Sequence, residues 1–575
     1  TEAAPGAASP PKPSPAPQSS SRGQSPPAAP AQAAGPSPGS LRITEFMSDP
    51  PESGRDAPYE WVELFNPAPV VTNLAGWSLT DDPDNPAKWR FPTNAVIPAG
   101  GFLVVLCDNR DEANAPAGPA TFLHTNFRLN DEGGKLMLFD PQGHFVDGFQ
   151  TNYPEQVSFA AYGRRPDNPG VFGFLTTATP GAANAGPAYT GRVEPVEFQN
   201  ALGTNLPGGI YLNQAFPLYL RHPLTNVVIR YTTNGTEPTE WNGWTYTQPF
   251  LIAQLNDKTG MVVRARAFLP GYLPSKTRTH TYILRRPTAL VTLPVVALTG
   301  DPARDFYAPD GLLAIVGGQY LSSIWHATGP QSYDWALGNG TPFEREARFE
   351  YYFPPGIYPT NQQPWRGDVG LRVSSSSYSR PRLKFTTVAT SSPWSTTSSV
   401  EKPSFNVYFS GDFGSGILDY QLFTNYNIRE FEHLRLRAGK NDIKNPFITD
   451  ELVRRLYLDM GHVGARGLFC SLYVNGVYKG LYNLCERFRE QFFQARYRSY
   501  EPWDVNYIRS WVDGDNTAFN QLLAALDLNL TNLANWFAVT NQIDLENTAD
   551  YFLLNIYCAM WDWPGNNYVF ARERS

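Results

Sequence analysis

Short apolar runs that alternate with polar residues, each ended by Gly, Pro, Asn or Asp, constrain this fold most. From residue 41 onward the chain reads "LRITEFMSDP", "EWVELFNP", "LAGWSLTDD" and "IPAGGFLVVLCD". Each run has the length of a strand of about five residues followed by a turn. Aromatic residues make up 14% of a chain that also contains 52 Pro and 47 Gly, which favours strands over long helices. The pattern predicts a β-sandwich for the first folded part.

Length and charge exclude several classes of protein. A chain of 575 residues is too long for one hydrophobic core, so we expect several domains. A net charge of −7 argues against a nucleic-acid-binding protein, which usually carries a basic face. No apolar run reaches the ~20 residues that span a bilayer, so we expect no membrane span.

The four cysteines predict neither a metal site nor a disulfide. Cys107, Cys470, Cys485 and Cys558 form no C-x-x-C pair. The segment "CSLYVNGVYKGLYNLCE" predicts a hairpin that turns at Asn475-Gly476 and places residue 470 opposite residue 481. Cys485 would then lie roughly 13 Å further along the strand, beyond disulfide reach. We therefore expect the cysteines to be buried apolar residues.

Composition divides the chain into four segments. Residues 1–40 are rich in Pro and Ala, which favours a flexible linker without a core. The strand-rich segment 41–187 ends near "TPGAANAG", and a second strand-rich segment covers 188–285. Residues 290–575 differ, because helical patterns at 448–461 and 544–560 follow strands such as "REARFEYYFP" and "DVGLRVSSSS". The last segment is therefore predicted to be an α+β domain.

The first strand-rich segment resembles the lamin tail domain in the form found in bacterial surface proteins. The resemblance rests on "ITEFMSDP", "EWVELFNP", "NLAGWSLTDD" and "IPAGGFLVV". It implies an immunoglobulin-like sandwich with an adhesion or scaffolding role. Glu60, Glu63 and Asn66 are polar positions on its second strand. We expect them to form a solvated face and a turn, with a ligand or cation contact as the alternative.

The second strand-rich segment resembles the small sandwich at the C-terminus of chitobiase and β-hexosaminidase-type enzymes. The resemblance rests on "VIRYTTNGTEP" and "VVRARAFLPGYLPS". It implies an immunoglobulin-like accessory module without catalytic residues. Trp241, Trp244 and Tyr246 are expected to serve packing, with sugar binding by aromatic stacking as the alternative.

Asp562 and Asn567, in "WDWPGNN", have the spacing of two groups that phosphoryl transfer requires. A carboxylate must orient the acceptor hydroxyl, and an amide must hold a metal on the phosphates. Protein kinases place them five residues apart on one loop. With "YVNGVYKGLYNLCE" and "EKPSFNVYF", this loop makes residues 293–575 resemble the spore coat protein H kinase family (CotH), a group of atypical kinases. The resemblance implies an ATP- and Mg²⁺-dependent enzyme that phosphorylates serine on a protein substrate.

The resemblance also implies roles for individual residues. Asp562 matches the catalytic carboxylate, and Asn567 matches the metal-binding amide, with Asn566 as a substitute. Glu486 matches a glutamate that would hold a lysine against the phosphates, and Lys402 is the candidate lysine.

Arg372 and Arg380 lie where the family carries an Arg- and Ser-rich strand, so the resemblance implies that they contact phosphates. A second magnesium-binding carboxylate is expected in a W-D-x-D segment after the loop. The sequence given ends at Ser575 before any such segment, in what reads as a strand lacking its hairpin partner. We therefore expect this chain to be a C-terminally truncated piece, inactive by itself.

Two main functions remain open at this stage. One is an exported or surface-associated kinase that acts on an extracellular or coat protein, with β modules that attach it to a polysaccharide or a cell surface. The other is a non-catalytic adhesion or scaffold protein with a degenerate kinase-like domain. A glycoside hydrolase is a weaker third idea, because no pair of facing carboxylates on a catalytic scaffold is recognisable.

Overall fold

The fold is described from a computed structural model. The structure describes the following residues: 40–48, 60–111, 122–158, 160–211, 215–253, 259–286, 290–354, 363–376, 379–383, 402–410, 413–424, 426–439, 448–507, 510–560, 563–565 and 568–574. The chain divides into two compact units. One comprises Thr1–Val193 with the short segments His222–Val227 and Leu269–Pro274, and the other comprises the remaining residues from Glu194 to Ser575.

The first unit contains the predicted sandwich. A seven-stranded sheet has the order β13-β12-β11-β1-β2-β7-β8, a four-stranded sheet has the order β10-β9-β4-β5, and β3 pairs with β6. The strands are β1 (Arg42–Met47), β2 (Trp61–Phe65), β3 (Thr72–Asn73), β4 (Ser78–Thr80), β5 (Trp89–Arg90), β6 (Val96–Ile97), β7 (Phe102–Leu106), β8 (Leu123–His124), β9 (Leu136–Phe139), β10 (Phe145–Phe149), β11 (Ala161–Arg165), β12 (Asn168–Leu175) and β13 (Ala188–Tyr189).

The polar positions of β2 are not a solvated face. Glu63 and Asn66 are fully buried. Glu63 accepts hydrogen bonds from Thr44 Oγ1 and from the backbone N–H of Gly181, each at 2.6 Å. Asn66 Nδ2 donates to backbone carbonyls, including that of Ile97 at 3.0 Å. The solvated-face prediction is therefore wrong for these two residues, because the Thr44 hydroxyl and backbone groups satisfy them inside the sandwich.

A second, smaller sandwich follows. Its sheets have the orders β14-β16-β19 and β15-β21-β20-β17-β18. The strands are β14 (Glu197–Gln199), β15 (Gly209–Ile210), β16 (Phe216–Arg221), β17 (Val228–Thr232), β18 (Trp244–Thr245), β19 (Phe250–Ile252), β20 (Met261–Phe268) and β21 (Arg278–Ile283). Trp241 and Trp244 are 90% and 69% exposed, so the prediction that they serve packing is wrong for both.

A closed barrel forms the centre of the last segment, with the order β22-β27-β28-β29-β32-β34-β33. The segment also contains small two-stranded ribbons and the sheet β36-β35-β37. The strands are β22 (Val295–Thr299), β23 (Ile315–Val316), β24 (Gln319–Leu321), β25 (Ile324–His326), β26 (Tyr333–Asp334), β27 (Arg345–Tyr352), β28 (Trp365–Ser374), β29 (Ser404–Tyr408), β30 (Leu418–Asp419), β31 (Glu430–Phe431), β32 (His433–Arg437), β33 (Gly467–Val474), β34 (Val477–Glu486), β35 (Trp503–Tyr507), β36 (Ser510–Asp513) and β37 (Val569–Glu573).

Alternation along the barrel strands fills its interior with apolar side chains. Leu371 of β28 lies opposite Val407 of β29, and Val407 lies opposite Leu434 of β32. All three are fully buried in one cluster. Since successive side chains of a strand point to opposite faces, the residues between them lie on the outer face of the barrel.

The helices confirm the α+β prediction for this segment. They are α1 (Thr449–Asp459), α2 (Glu490–Tyr497), α3 (Thr517–Leu526), α4 (Leu533–Thr540) and α5 (Leu545–Tyr557). α1 and α5 lie where the apolar periodicity predicts them. At 13 residues α5 is the longest helix of the described residues, and none among these helices is long and apolar enough to cross a bilayer.

The expected strand near the last residues exists as β37 and pairs with the earlier strand β35. The predicted hairpin needs one correction. The hairpin turns at Asn475-Gly476 as predicted, yet Cys470 lies opposite Tyr482 and not opposite residue 481. A β-bulge between Leu472 and Tyr473 causes this one-residue shift. All four cysteines are free, and only Cys558 is not fully buried.

Candidate functional site

Lys402 lies just before β29 and its ammonium group is held by backbone carbonyls. Nζ donates to Ala438 O at 2.9 Å and to Leu481 O at 2.6 Å. It also lies 4.7 Å from the centre of the Tyr482 ring. Burial lowers the pKa of Lys402 to about 8, because a charged ammonium is poorly solvated there. The side chain is thus fixed by the protein's own polar groups.

Glu486 lies at the end of β34 in a buried ion pair with Arg496 of α2. Its other oxygen accepts a hydrogen bond from the backbone N–H of Arg466 at 2.9 Å. Tyr426 OH donates to the first oxygen at 3.3 Å. Glu486 therefore connects the barrel to the helix that follows it.

The structure does not form the expected pair between Lys402 and Glu486. Lys402 reaches β34 at Leu481, and Glu486 is five residues further along that strand. At ~3.3 Å per residue this separates them by about 16 Å. The hairpin sequence alone could not reveal this, because it does not show where the segment before β29 crosses β34.

Arg380 is occupied by backbone carbonyls. Its guanidinium donates to Ala336 O at 2.8 Å, Gly338 O at 2.7 Å, Val373 O at 2.9 Å and Ser375 O at 3.0 Å. The expected contact with phosphates would require the loss of these bonds.

Arg372 of β28 points to the outer face of the barrel. It forms an ion pair with Glu344, and its guanidinium carbon lies 4.2 Å from the centre of the Tyr408 ring. Of the two arginines predicted to contact phosphates, Arg372 is the one that lies near other cationic side chains.

We call these neighbours the Tyr408 cluster, which consists of Arg372, Tyr408, His433, Arg487 and Arg489. Tyr408 lies opposite His433, and their rings meet edge to face at 5.2 Å. Arg487 lies over the same Tyr408 ring at 5.3 Å. Arg489 forms a bidentate ion pair with Asp513. Sequence reasoning missed the cluster, although the alternating cations of "HLRLR" and "ERFRE" are a signal for it.

The cluster is electrostatically unusual. Burial, followed by the charges of nearby arginines, lowers the pKa of His433 to about 3, so its ring is neutral at physiological pH. Burial also lowers the pKa of Arg487. Three guanidinium groups thus lie around one neutral imidazole and one phenol.

The predicted catalytic and metal-binding side chains are outside the described part of the structure. This applies to Asp562, Asn566 and Asn567. Their neighbour Trp563 packs edge to face on Tyr551 at 5.9 Å and on Phe552 at 4.9 Å, both on α5. Among the residues that are described, no group of three His, Cys, Asp or Glu could hold a metal ion. The roles of all predicted site residues therefore stay predictions.

Family models match three segments of the chain. Residues 34–152 match Lamin Tail Domain, residues 220–282 match Fn3 associated and residues 394–575 match CotH kinase protein. A search of curated proteins found no match. Three segments of the chain are therefore similar to these three families, in the order that the sequence resemblances predicted.

Proposed function

We propose that this protein is an exported or surface-associated protein kinase that transfers phosphate from ATP to serine on an extracellular or coat protein. The match of residues 394–575 to the CotH kinase model carries the proposal. The five-residue spacing between Asp562 and Asn567 supports it, because kinases place a catalytic carboxylate and a metal-binding amide at this offset. The two β modules would attach the kinase domain to its surroundings.

Within this proposal Asp562 orients the serine hydroxyl and accepts its proton. Asn567, or Asn566 in its place, holds Mg²⁺. When bound, Mg²⁺ neutralises charge on the transferred phosphate. The cationic face around Arg372 and Arg487 fits a phosphate-bearing ligand, because buried nitrogen atoms there lack hydrogen-bond partners. This orphaned donor set is the structural support for a nucleotide.

A non-catalytic adhesion or scaffold protein is the second candidate. Lys402 and Glu486 favour it, because both are satisfied by other protein groups and not by each other. A kinase domain that had lost its nucleotide site would show such an arrangement.

Nucleotide binding distinguishes the two candidates. We expect the product of the complete gene to bind a non-hydrolysable ATP analogue in isothermal titration calorimetry when Mg²⁺ is present. The Asn567→Ala variant should lose most of the Mg²⁺-dependent affinity, whereas Asn168→Ala, an exposed position of the first sandwich, should retain it. A complete lack of Mg²⁺-dependent binding in the unmodified protein would favour the adhesion protein.

A further inference from the structure

The Tyr408 cluster contains a partly buried positive charge without a carboxylate partner among the described residues. Arg372 is paired with Glu344, and Arg489 is paired with Asp513. Arg487 forms no ion pair with any carboxylate of the described residues. Its Nη1 atom is buried and has no hydrogen-bond partner there. The guanidinium is hydrogen-bonded to the Tyr408 side chain but has no carboxylate partner, so pairing with an anion would stabilise it.

His433 carries a second nitrogen atom of the Tyr408 cluster that lacks a hydrogen-bond partner. Its Nδ1 atom is buried without a hydrogen-bond partner among the described residues, and the nearest carboxylate oxygen, from Glu432, is 3.9 Å away. Both unmet nitrogen atoms belong to side chains that contact the Tyr408 ring. Arg487 and His433 therefore each leave one nitrogen atom without a hydrogen-bond partner beside the same ring.

A shallow cleft gives access to this place. His433, Arg487 and Arg489 line it together with residues at the start of α2. Glu486 and Arg496 also line the cleft, but their charges are paired with each other. Glu430 is the remaining acidic residue of the lining. Arg487, which lines the cleft, thus has no carboxylate partner among the described residues.

We propose that the Tyr408 cluster binds a phosphate group, with Arg487 as the main ligand and His433 as a second hydrogen-bonding group. A guanidinium presents several N–H donors in a fork that matches phosphate oxygens. Arg487, in the loop after β34, supplies the unpaired cation, and Arg372 and Arg489, already paired with carboxylates, lie in the same cluster. The proposal rests on the same cationic face that supports nucleotide binding in the proposed function, but it requires only binding of a phosphate group and no transfer.

Titration with inorganic phosphate tests the proposal. We expect saturable binding to the full chain in isothermal titration calorimetry, at constant ionic strength set with chloride. Arg487→Gln should weaken binding about tenfold or more, because it removes a charge-assisted hydrogen bond. Arg128→Gln makes the same change in net charge at a 69% exposed side chain of the first unit and should leave binding unchanged.

Thermal stability separates a ligand-binding arginine from a structural one. Arg487→Met removes the uncompensated charge but keeps an unbranched apolar side chain. We expect this variant to melt at the same or a higher temperature than the unmodified protein without phosphate, and to lose the phosphate-dependent increase in Tm. A lower Tm without phosphate, combined with an unchanged phosphate response, would show that Arg487 is structural.

Three probes distinguish the sources of the phosphate. We expect inorganic phosphate to bind, and tighter binding of free phosphoserine or of an ATP analogue without Mg²⁺ would identify a phosphorylated side chain or a nucleotide as the source. Equal effects of chloride and phosphate, or equal binding by Arg487→Gln and the unmodified chain, would overturn the proposal. Because these measurements involve no transfer reaction, an inactive kinase would leave their result unaffected.

Discussion

At the residue scale, the structure assigns buried polar groups to structural roles that their sequence motifs do not reveal. Lys402 and Glu486 have the residue types that a kinase nucleotide site requires, yet Lys402 is bound by backbone carbonyls and Glu486 is paired with Arg496 of α2. The motif could predict where these two charged residues lie along the sequence, but not that both are buried. It could not predict their partners, because Arg496 and the carbonyl of Ala438 reach them only through the tertiary fold.

We expect Glu486 and Arg496 to stabilise the fold only when both are present. Arg496→Met leaves an unpaired carboxylate whose side chain is 2% exposed, so we expect a loss of about 3–5 kcal/mol in the free energy of unfolding. The double variant Glu486→Gln/Arg496→Met should recover much of this loss. Urea unfolding followed by tryptophan fluorescence measures both. A double variant no more stable than the single one would contradict this account.

Glu45 should make the stability of the first sandwich depend on pH. Glu45 is fully buried on β1, and this burial raises its pKa from 4.5 to about 7. Hydrogen bonds from Thr179 lower the pKa, but by less than burial raises it. The folded state therefore retains a proton that the unfolded state loses above pH 4.5. Glu45 therefore contributes about 1–3 kcal/mol to the free energy of unfolding at low pH. This contribution is complete below pH 4.5 and is lost as the pH rises to about 7.

The Glu45→Gln variant tests this directly. Relative to the unmodified protein, its β1 amides should become better protected from hydrogen exchange between pH 5 and pH 8, and the exposed control Glu132→Gln should show no such trend. The same pH trend in Glu45→Gln and in the unmodified protein would exclude Glu45 as its source.

At the element scale, the hairpin of β33 and β34 packs its turn into the second sandwich. The N–H of Gly260 donates to Gly476 O at 2.6 Å, which links the turn to the second sandwich. On the barrel side, Asn475 Oδ1 accepts from the N–H of Gly300, just after β22, at 3.1 Å. The alternating pattern and the Asn-Gly pair predicted the hairpin. They could not predict its bulge or its docking, since both depend on surfaces contributed by distant segments.

Gly235 should be irreplaceable at this contact. Its φ is +87°, and an added Cβ would lie 2.5 Å from Asn475 Cγ. We expect Gly235→Ala to cost about 2–4 kcal/mol, of which the backbone conformation accounts for about 1–2 kcal/mol. Gly203→Ala is a suitable control, because its φ is +78° but its surroundings are open. Equal losses in both variants, measured by chemical denaturation, would show that the docked turn contributes nothing.

At the scale of the whole molecule, the barrel extends beyond the segment that matches the kinase family. Its strands β22, β27 and β28 all precede residue 394, where the match begins. Strand pattern predicted the first sandwich and the α+β part, and the family resemblance implied the second sandwich. The closure of seven strands into a barrel was not predictable, because β22 pairs with β33 across more than a hundred residues.

Fragments of the chain test whether the barrel includes the strands before residue 394. We expect residues 394–575 alone to be insoluble or to lack cooperative unfolding, since three of the seven barrel strands are missing. Residues 194–575 should unfold cooperatively. Residues 290–575 should melt at a lower temperature than 194–575, because they lack Gly260 and the carbonyl of Thr281, which accepts from Tyr352 OH at 3.1 Å. A stable, cooperative 394–575 fragment would contradict the barrel assignment.

Phosphoryl transfer is the most direct test of the kinase proposal. The product of the complete gene would be incubated with Mg²⁺ and γ-labelled ATP in the presence of a serine-rich acceptor protein, and phosphoserine would be identified by mass spectrometry. We predict transfer by the unmodified protein and a reduction of at least about a thousandfold in Asp562→Asn, because the acceptor hydroxyl loses its base. Equal transfer by Asp562→Asn, or no transfer by the unmodified protein, would contradict the proposal.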